Sequence, residues 1–147
     1  MEIRPPEQRL ADVRAKLESE VDLWVASANA TGDAYLIPLS FYWDGVKLTI
    51  ATPKRSRTAR NVRRAGRMRV ALGPTRDVVV LEGPIEEISA HADANLAAAH
   101  AKATGFDARE GPDEYVFFRM TPARIQAWRN PAELPERDVM RDGKWLG

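Results

Sequence analysis

The spacing of hydrophobic positions changes along the chain and separates predicted helices from predicted strands. Near the amino terminus, apolar residues recur every three or four positions, as on one face of an amphipathic helix: Leu10, Val13, Leu17 and Val21. This pattern predicts an N-terminal helix over residues 6–20, and Pro6 suits its first turn. Two further helices are predicted over residues 57–65 and 90–104, each followed by a glycine that can act as a C-cap.

Between these helices, short runs of β-branched and aromatic residues end at glycine, proline or aspartate, the pattern of strands joined by turns. Asp44-Gly45 is a hairpin signal between two such runs, and Gly83-Pro84 predicts a bend inside a long strand. The predicted strands are residues 23–28, 34–43, 46–52, 68–72, 78–88, 114–121 and 124–128. Residues 131–147 contain two prolines and an Asp-Gly pair, and are expected to form a C-terminal arm or a final turn.

The order of these elements determines the expected fold class. Six or seven strands in meander-like order, with three short helices between them, favour an antiparallel sheet that closes into a small barrel. We therefore expect a mainly β (α+β) fold, an antiparallel barrel of six to seven strands with a few short helices. Residues 1–147 show no repeat and no linker, and are expected to form a single domain.

Composition excludes several classes of protein. The chain has no cysteine, which removes disulfides, thiolate zinc sites, iron–sulfur clusters and cysteine nucleophiles. No apolar run approaches the roughly 20 residues that span a bilayer, and the N-terminus lacks the apolar core of a signal peptide. We therefore expect a cytoplasmic protein. The two histidines have no matching carboxylate cluster, so no metal site is expected.

Positive charge is concentrated in one part of the chain. No acidic residue lies between Asp44 and Asp77, whereas that stretch contains ten of the 22 lysines and arginines. Outside this stretch the chain has 12 basic and 21 acidic residues. The overall net charge of +1 therefore hides a strongly basic segment. Such a segment indicates an anionic partner that carries phosphate or carboxylate groups, or a nucleic acid.

Residues 52–61 are the most informative part of that segment. They combine a strand end, a short loop and a helix N-terminus, whose unpaired N–H groups and partial positive charge attract anions. Lys54, Ser56, Arg57 and Thr58 could complete a phosphate site there. At ~100° per residue, five arginines fall within an arc of ~120° and predict a continuous basic face: Arg57, Arg60, Arg63, Arg64 and Arg67. The alternative interpretation is a solvated helix face without a ligand.

Four segments in this order resemble the pyridoxamine-5′-phosphate-oxidase-like split barrel, and more narrowly its branch that binds coenzyme F420. They are Pro-Leu-Ser-Phe-Tyr-Trp-Asp-Gly (38–45), Leu-Thr-Ile-Ala-Thr (48–52), Ser-Arg-Thr-Ala-Arg-Asn-Val (56–62) and Arg-Val-Ala-Leu (69–72). The resemblance runs from about residue 23 to residue 88, with a weaker similarity over residues 117–122 and 125–128.

The resemblance implies a homodimer with two cofactor sites at its interface. The flat ring of the cofactor is then expected against the strand that contains Pro38, Leu39 and Ser40. The phosphate is expected on Thr52, Lys54, Ser56, Arg57, Thr58 and Asn61. Thr58 stands where many relatives have lysine, and the full FMN signature of true pyridoxamine-phosphate oxidases is absent, so vitamin B6 activity is not expected.

The expected function is that of an F420-dependent oxidoreductase acting on a small unsaturated or conjugated organic molecule. F420 carries a phosphodiester and a tail of glutamates, and a basic face longer than one phosphate suits that tail. The cofactor would supply the redox chemistry, so no residue is assigned as catalytic. Three alternatives stay open: an FMN-dependent oxidoreductase, a non-catalytic carrier of a cofactor or tetrapyrrole, and a nucleic-acid-binding module using the basic helix. No aromatic residue lies between Lys54 and Arg69, which counts against the last.

Overall fold

A nine-stranded antiparallel sheet dominates the computed structural model, which describes residues 3–146. In chain order the elements are α1 (Pro6–Ser19), β1 (Asp22–Ala28), β2 (Ala34–Trp43), β3 (Leu48–Pro53), α2 (Arg57–Ala65), β4 (Arg67–Leu72), β5 (Val78–Ser89), α3 (Ala94–Thr104), β6 (Tyr115–Met120), β7 (Arg124–Trp128), a 3₁₀ helix (Pro131–Glu136), β8 (Asp138–Arg141) and β9 (Lys144–Trp145). Within these residues no helix combines the length and apolar character needed to cross a bilayer.

Six of the strands close into a barrel. The order β4-β1-β2-β3-β6-β5 ends where β5 pairs with β4, while β7, β8 and β9 extend the sheet from β5. All of these pairings are antiparallel. The mainly β, antiparallel barrel predicted from the sequence is therefore confirmed, and the structure adds two short strands to the six or seven that were expected.

The bend at Gly83 lies between the part of β5 that pairs with β7 and the part that pairs with β6. Before it, residues 78–82 of β5 pair with β7; after it, residues 85–89 pair with β6. A Cβ atom built on Gly83 would lie 2.1 Å from the backbone oxygen of Thr121. Only glycine fits this close approach, so the predicted bend is a position where the fold requires the absence of a side chain.

Hydrophobic alternation places the core inside the barrel. Leu23 and Val25 of β1 are buried there, whereas Trp24 between them points outward. Residues 48–52 of β3 are all buried, because the barrel core covers one face and a second cluster around α3 covers the other. An unbroken buried run of this kind is typical of a strand that is covered on both faces.

Two predicted boundaries move for local reasons. Helix α3 begins at Ala94 instead of residue 90, since the Asp93 side chain caps it by accepting the N–H of Leu96. Strand β3 begins at Leu48, because the Asp44 carboxylate accepts the N–H groups of Val46 and Lys47 and holds both residues in the turn.

The C-terminal segment is more ordered than an arm. It forms the 3₁₀ helix and the β8–β9 hairpin, whose turn at Asp142 and Gly143 has positive φ at both residues, as the Asp-Gly pair favours. The buried Glu133 carboxylate accepts three hydrogen bonds from Arg4, one from its backbone N–H and two from its guanidinium. This segment therefore fastens the N-terminus to the sheet. Gly147, the last residue of the predicted arm, lies outside the described residues.

Candidate functional site

The loop between β3 and α2 forms as the sequence predicts. Ser56 is the N-cap of α2, and its Oγ accepts the N–H of Ala59 at 3.0 Å. The same oxygen lies 2.8 Å from the hydroxyl of Thr52, at the end of β3. Gly66 closes the helix with a φ of 71°, in the left-handed region. These contacts fix the direction in which α2 leaves the sheet, and with it the positions of its arginines.

Several of the predicted phosphate-binding residues lie on the buried side of this loop and helix. Thr52, Thr58 and Asn61 are at most 5% exposed, and the Asn61 amide donates to the Ser27 hydroxyl at 3.1 Å. The Thr58 hydroxyl has no hydrogen-bond partner among residues 3–146. These side chains lie beneath the loop. Of the exposed cations, Lys54 lies 3.6 Å from the Glu114 carboxylate, whereas Arg57 has no carboxylate partner among residues 3–146.

The basic face of α2 is less continuous than the sequence predicts, because β5 brings acidic residues beside it. Arg63 donates two hydrogen bonds to the Glu87 carboxylate, at 2.6 and 2.8 Å. Arg67 and Arg69 both pair with Glu82. The hydrogen bonds from Arg63 and Arg69 hold the pKa values of Glu87 and Glu82 below their usual range. The continuous basic face predicted for the helix is therefore wrong in two respects: Arg63 is neutralised by Glu87, and Arg67 lies on β4 instead of α2.

The remaining arginines keep their charge uncompensated. Among the described residues, no carboxylate pairs with Arg57, Arg60 or Arg64. The Arg57 guanidinium lies over the ring of Tyr35, 4.9 Å from its centroid. Arg57, Arg60, Tyr35 and Asn61 line a cavity of about 420 Å³, which we call the arginine cleft. Its walls also include Asn29, Ala34 and one acidic residue, Asp33, whose carboxylate accepts hydrogen bonds from the side chains of Asn29 and Thr31. It is the part of the predicted basic face that is free to bind an anion.

The other predicted segment opens onto a second cavity. Residues 38–40 of β2 line a space of about 510 Å³. Its remaining walls come from Asp22, Ala51, His100, Thr104, Phe106 and Tyr115. We call it the Pro38 cavity. Sequence reasoning missed the contribution of α3 and the residues after it, since nothing in the alanine-rich pattern indicates which strands that helix covers.

His100 is the most unusual residue of the Pro38 cavity. It is 2% exposed, its ring packs 5.2 Å from that of Phe117, and neither ring nitrogen has a hydrogen-bond partner among the described residues. Burial lowers the pKa of His100 to about 4, against the weaker opposing effects of the Phe106 carbonyl and the Asp107 carboxylate. The ring is therefore uncharged at neutral pH, and this wall of the cavity carries no cation.

The two cavities belong to the same strand. Tyr35 at the arginine cleft and Pro38 at the Pro38 cavity are three residues apart on β2, about 10 Å along the strand at ~3.3 Å per residue. A third space of about 550 Å³ lies between the loop at Lys54 and residues 112–114. The arginine cleft and the Pro38 cavity therefore both include residues of β2, the first beside arginines and the second beside largely apolar side chains.

Comparison with known proteins assigns the chain to a family. Residues 10–129 match the pyridoxamine 5′-phosphate oxidase family. The chain belongs to this family. Its resemblance to the split-barrel family, recognised in the sequence, is thereby confirmed. No curated protein matches the chain.

Solved structures of several other proteins share the fold at low identity. The Agrobacterium tumefaciens protein Atu2129, of unknown function, is 20% identical with a TM-score of 0.71; the alignment covers 90% of this chain and 62% of that one. An F420 reductase is 15% identical with a TM-score of 0.64, covering 76% and 94%. A heme binding protein from Mycobacterium smegmatis is 19% identical with a TM-score of 0.66, covering 88% and 57%. Structures of this fold therefore include proteins with different ligands.

An exposed apolar patch borders the site of this family member. On the outer face of β1 and β2, Trp24 is 50% exposed and Leu36 is 60% exposed. Trp24 faces Pro38 across the strand pair, and Leu36 faces Ala26. Contiguous exposed apolar side chains next to a cavity are typical of an interaction surface.

Among the described residues, no group of three or more histidine, cysteine, aspartate or glutamate side chains could hold a metal ion.

Proposed function

We propose that this protein is an F420-dependent oxidoreductase that acts on a small unsaturated or conjugated organic molecule, with its cofactor bound at a homodimer interface. The observation that carries the proposal is that the Pro38 cavity and the arginine cleft are both lined by residues of β2. The Pro38 cavity is largely apolar, and the arginine cleft, which includes Tyr35 three residues earlier on β2, presents arginines without carboxylate partners. The family membership supports a flavin or deazaflavin as the ligand.

The residues present fit such a cofactor at both ends. The backbone of residues 38–40 offers an extended, solvent-accessible surface for a flat ring. Arg57 and Arg60 offer guanidinium groups for phosphate oxygens, and a guanidinium can bind such oxygens through two parallel hydrogen bonds. The Thr52 and Ser56 hydroxyls, 2.8 Å apart, hold the loop that presents these cations.

When bound, the cofactor supplies hydride transfer, and the chain supplies the surroundings. The Pro38 cavity would position the substrate and exclude water from it, since Leu39, Phe106 and Tyr115 give it apolar walls. Because the His100 ring is uncharged at neutral pH, it adds no positive charge to this region. No side chain in the cavity is assigned as a proton donor.

The choice of F420 over FMN rests on the charge beyond the phosphate. FMN ends at one phosphate, whereas the tail of F420 adds carboxylates. Arg64, one turn beyond Arg60 on α2, also has no carboxylate partner among residues 3–146, and it extends the positive surface in that direction. Pairing of Arg63 and Arg67 with β5 shortens this surface relative to the sequence-based expectation, but leaves Arg57, Arg60 and Arg64 available.

Binding and turnover together test the proposal. Purified protein is titrated separately with F420, FMN and haemin, and the preferred ligand is then reduced and offered a panel of conjugated acceptors. Preferential F420 binding with acceptor-dependent oxidation is the expected result. Preference for FMN would replace the cofactor, tight binding without turnover would indicate a carrier, and binding of none of the three would refute the proposal.

The homodimer is tested through the apolar patch. Leu36→Asp places a charge at the centre of that patch, and Val46→Asp introduces the same charge at another exposed apolar residue, in the β2–β3 turn. We expect sedimentation analysis to show a dimer for the wild type and for Val46→Asp, and a monomer for Leu36→Asp. A dimer in all three proteins would show that the dimer interface lies outside the apolar patch.

A further inference from the structure

A separate cavity of about 410 Å³ lies where the start of α1 meets the 3₁₀ helix and β8. Its volume is within the roughly 300–1,000 Å³ range of small-molecule sites. Four arginines and two acidic residues contribute to its walls: Arg9, Arg124, Arg137, Arg141, Glu136 and Asp138. We call it the Arg9 cavity.

Arg9 is buried without a counter-charge. It is 2% exposed; its Nη1 donates to the backbone oxygen of Glu136, and its Nε has no partner. No carboxylate of residues 3–146 pairs with it. A buried cation that lacks a partner is costly, which makes an anion the expected complement.

Arg4, five residues earlier, shows what a compensated buried arginine looks like in this protein. It is 8% exposed, and its guanidinium donates to both oxygens of Glu133 and to Asp12. The two buried arginines therefore differ in whether their charge is compensated. Arg4 is fully paired with carboxylates, whereas Arg9 faces a cavity.

The acids around the Arg9 cavity do not neutralise it. Asp138 is shared between Arg124, at 3.0 Å, and Arg141, at 3.0 Å. Arg137 donates to the backbone oxygen of Leu134 and pairs with no carboxylate among the described residues. The Glu136 carboxylate accepts no hydrogen bond from them. Four guanidinium groups therefore face two carboxylates, an excess of positive charge around an open space.

We propose that the Arg9 cavity is a second anion-binding site, independent of the cofactor, which receives the phosphate or carboxylate group of a small molecule. Arg9 binds the anion at the floor and Arg137 binds it at the rim. Phosphate and carboxylate groups both present oxygens to which a guanidinium can donate two parallel hydrogen bonds. Inorganic phosphate and malonate, used as separate probes, distinguish the two.

The test measures binding of inorganic phosphate and, separately, malonate by calorimetry and by thermal unfolding, against sodium chloride at equal ionic strength. A specific site binds saturably, and the unfolding midpoint rises by about 5–10 °C at 100 times the Kd. Arg137→Gln is expected to weaken binding at least tenfold, while Arg76→Gln, an exposed arginine in the β4–β5 turn, leaves it unchanged. Glu136→Gln should tighten binding, since it removes a competing negative charge.

Arg9→Met removes the buried charge while keeping much of the side-chain volume, and should abolish the response to phosphate. If that variant does not fold, Arg137→Gln and Glu136→Gln still decide the question. An Arg57→Ala variant separates this site from the arginine cleft, because it should retain the binding that Arg137 controls. A response to phosphate and malonate no larger than that to chloride, or binding that is indifferent to Arg137 and Glu136, would overturn the proposal.

Discussion

Buried His100 makes the stability of the fold depend on pH in a defined window. Its folded pKa of about 4 lies below its ordinary value of 6.5, because burial disfavours the protonated ring. The unfolded chain therefore takes up a proton at higher pH than the folded protein does. The contribution of His100 to stability is complete above pH 6.5 and is lost progressively as the pH falls through the folded pKa near 4.

The structure also gives the size of the effect. A pKa difference of this magnitude corresponds to a full effect of ~3 kcal/mol, of which ~2 kcal/mol is lost between pH 7 and pH 5. His100→Gln keeps a polar side chain that does not titrate and should lack this loss. His91→Gln is the matched control, since His91 is exposed and lies just before α3.

The assay is urea unfolding, followed by tryptophan fluorescence at pH 7, 6 and 5. Wild type and His91→Gln should lose about 2 kcal/mol more than His100→Gln as the pH falls from 7 to 5. If all three proteins lose the same free energy of unfolding within about 0.5 kcal/mol, His100 is not held uncharged by burial, and this description of the cavity wall is wrong.

Three further substitutions test contacts on which the site and its frame depend. Glu133→Gln removes one of the two carboxylates to which the buried Arg4 guanidinium donates and should cost about 2–3 kcal/mol in urea unfolding; a loss below about 1 kcal/mol would mean that the pair is solvated. Ser56→Ala removes the N-cap of α2 and should cost about 1 kcal/mol, also in urea unfolding. Gly83→Ala places a Cβ against the Thr121 carbonyl and should cost about 1–3 kcal/mol in the same assay; an unchanged midpoint would show that the strand bend relaxes freely.

Much of the local structure is predictable because it depends on short-range chemistry. Helix α2 matches residues 57–65, as Ser56 and Gly66 supply the two caps within the segment itself. Helix α1 ends one residue before the expected boundary. The Asp44-Gly45 hairpin also follows from the backbone preferences of those residues, whereas Gly83 is required by the close approach of the distant Thr121 carbonyl.

The remaining features depend on contacts between distant segments. The arginines of residues 57–69 look uncompensated in the sequence, yet β5 pairs with β4 and brings Glu87 beside Arg63 of α2 and Glu82 beside Arg67 and Arg69 of β4. Helix α3 was expected from its alanines, but its position over the sheet, which creates the Pro38 cavity, is set by packing that no local pattern encodes. The assignment of Thr52, Thr58 and Asn61 as cofactor ligands stays a prediction. Their burial favours a role beneath the loop over direct contact.

The most direct test of the proposed cofactor site is an F420 titration of three proteins, followed by fluorescence at fixed moderate salt. Arg57→Ala/Arg60→Ala removes the arginines of the cleft, and Arg67→Ala removes an arginine that is already paired with Glu82. Wild type and Arg67→Ala should bind with similar affinity, and the double variant should bind at least 100-fold more weakly, about 1.4 kcal/mol for each arginine. Equal affinity in all three proteins, or a loss as large in Arg67→Ala as in the double variant, would contradict the assignment of the arginine cleft as the anionic end of the cofactor site.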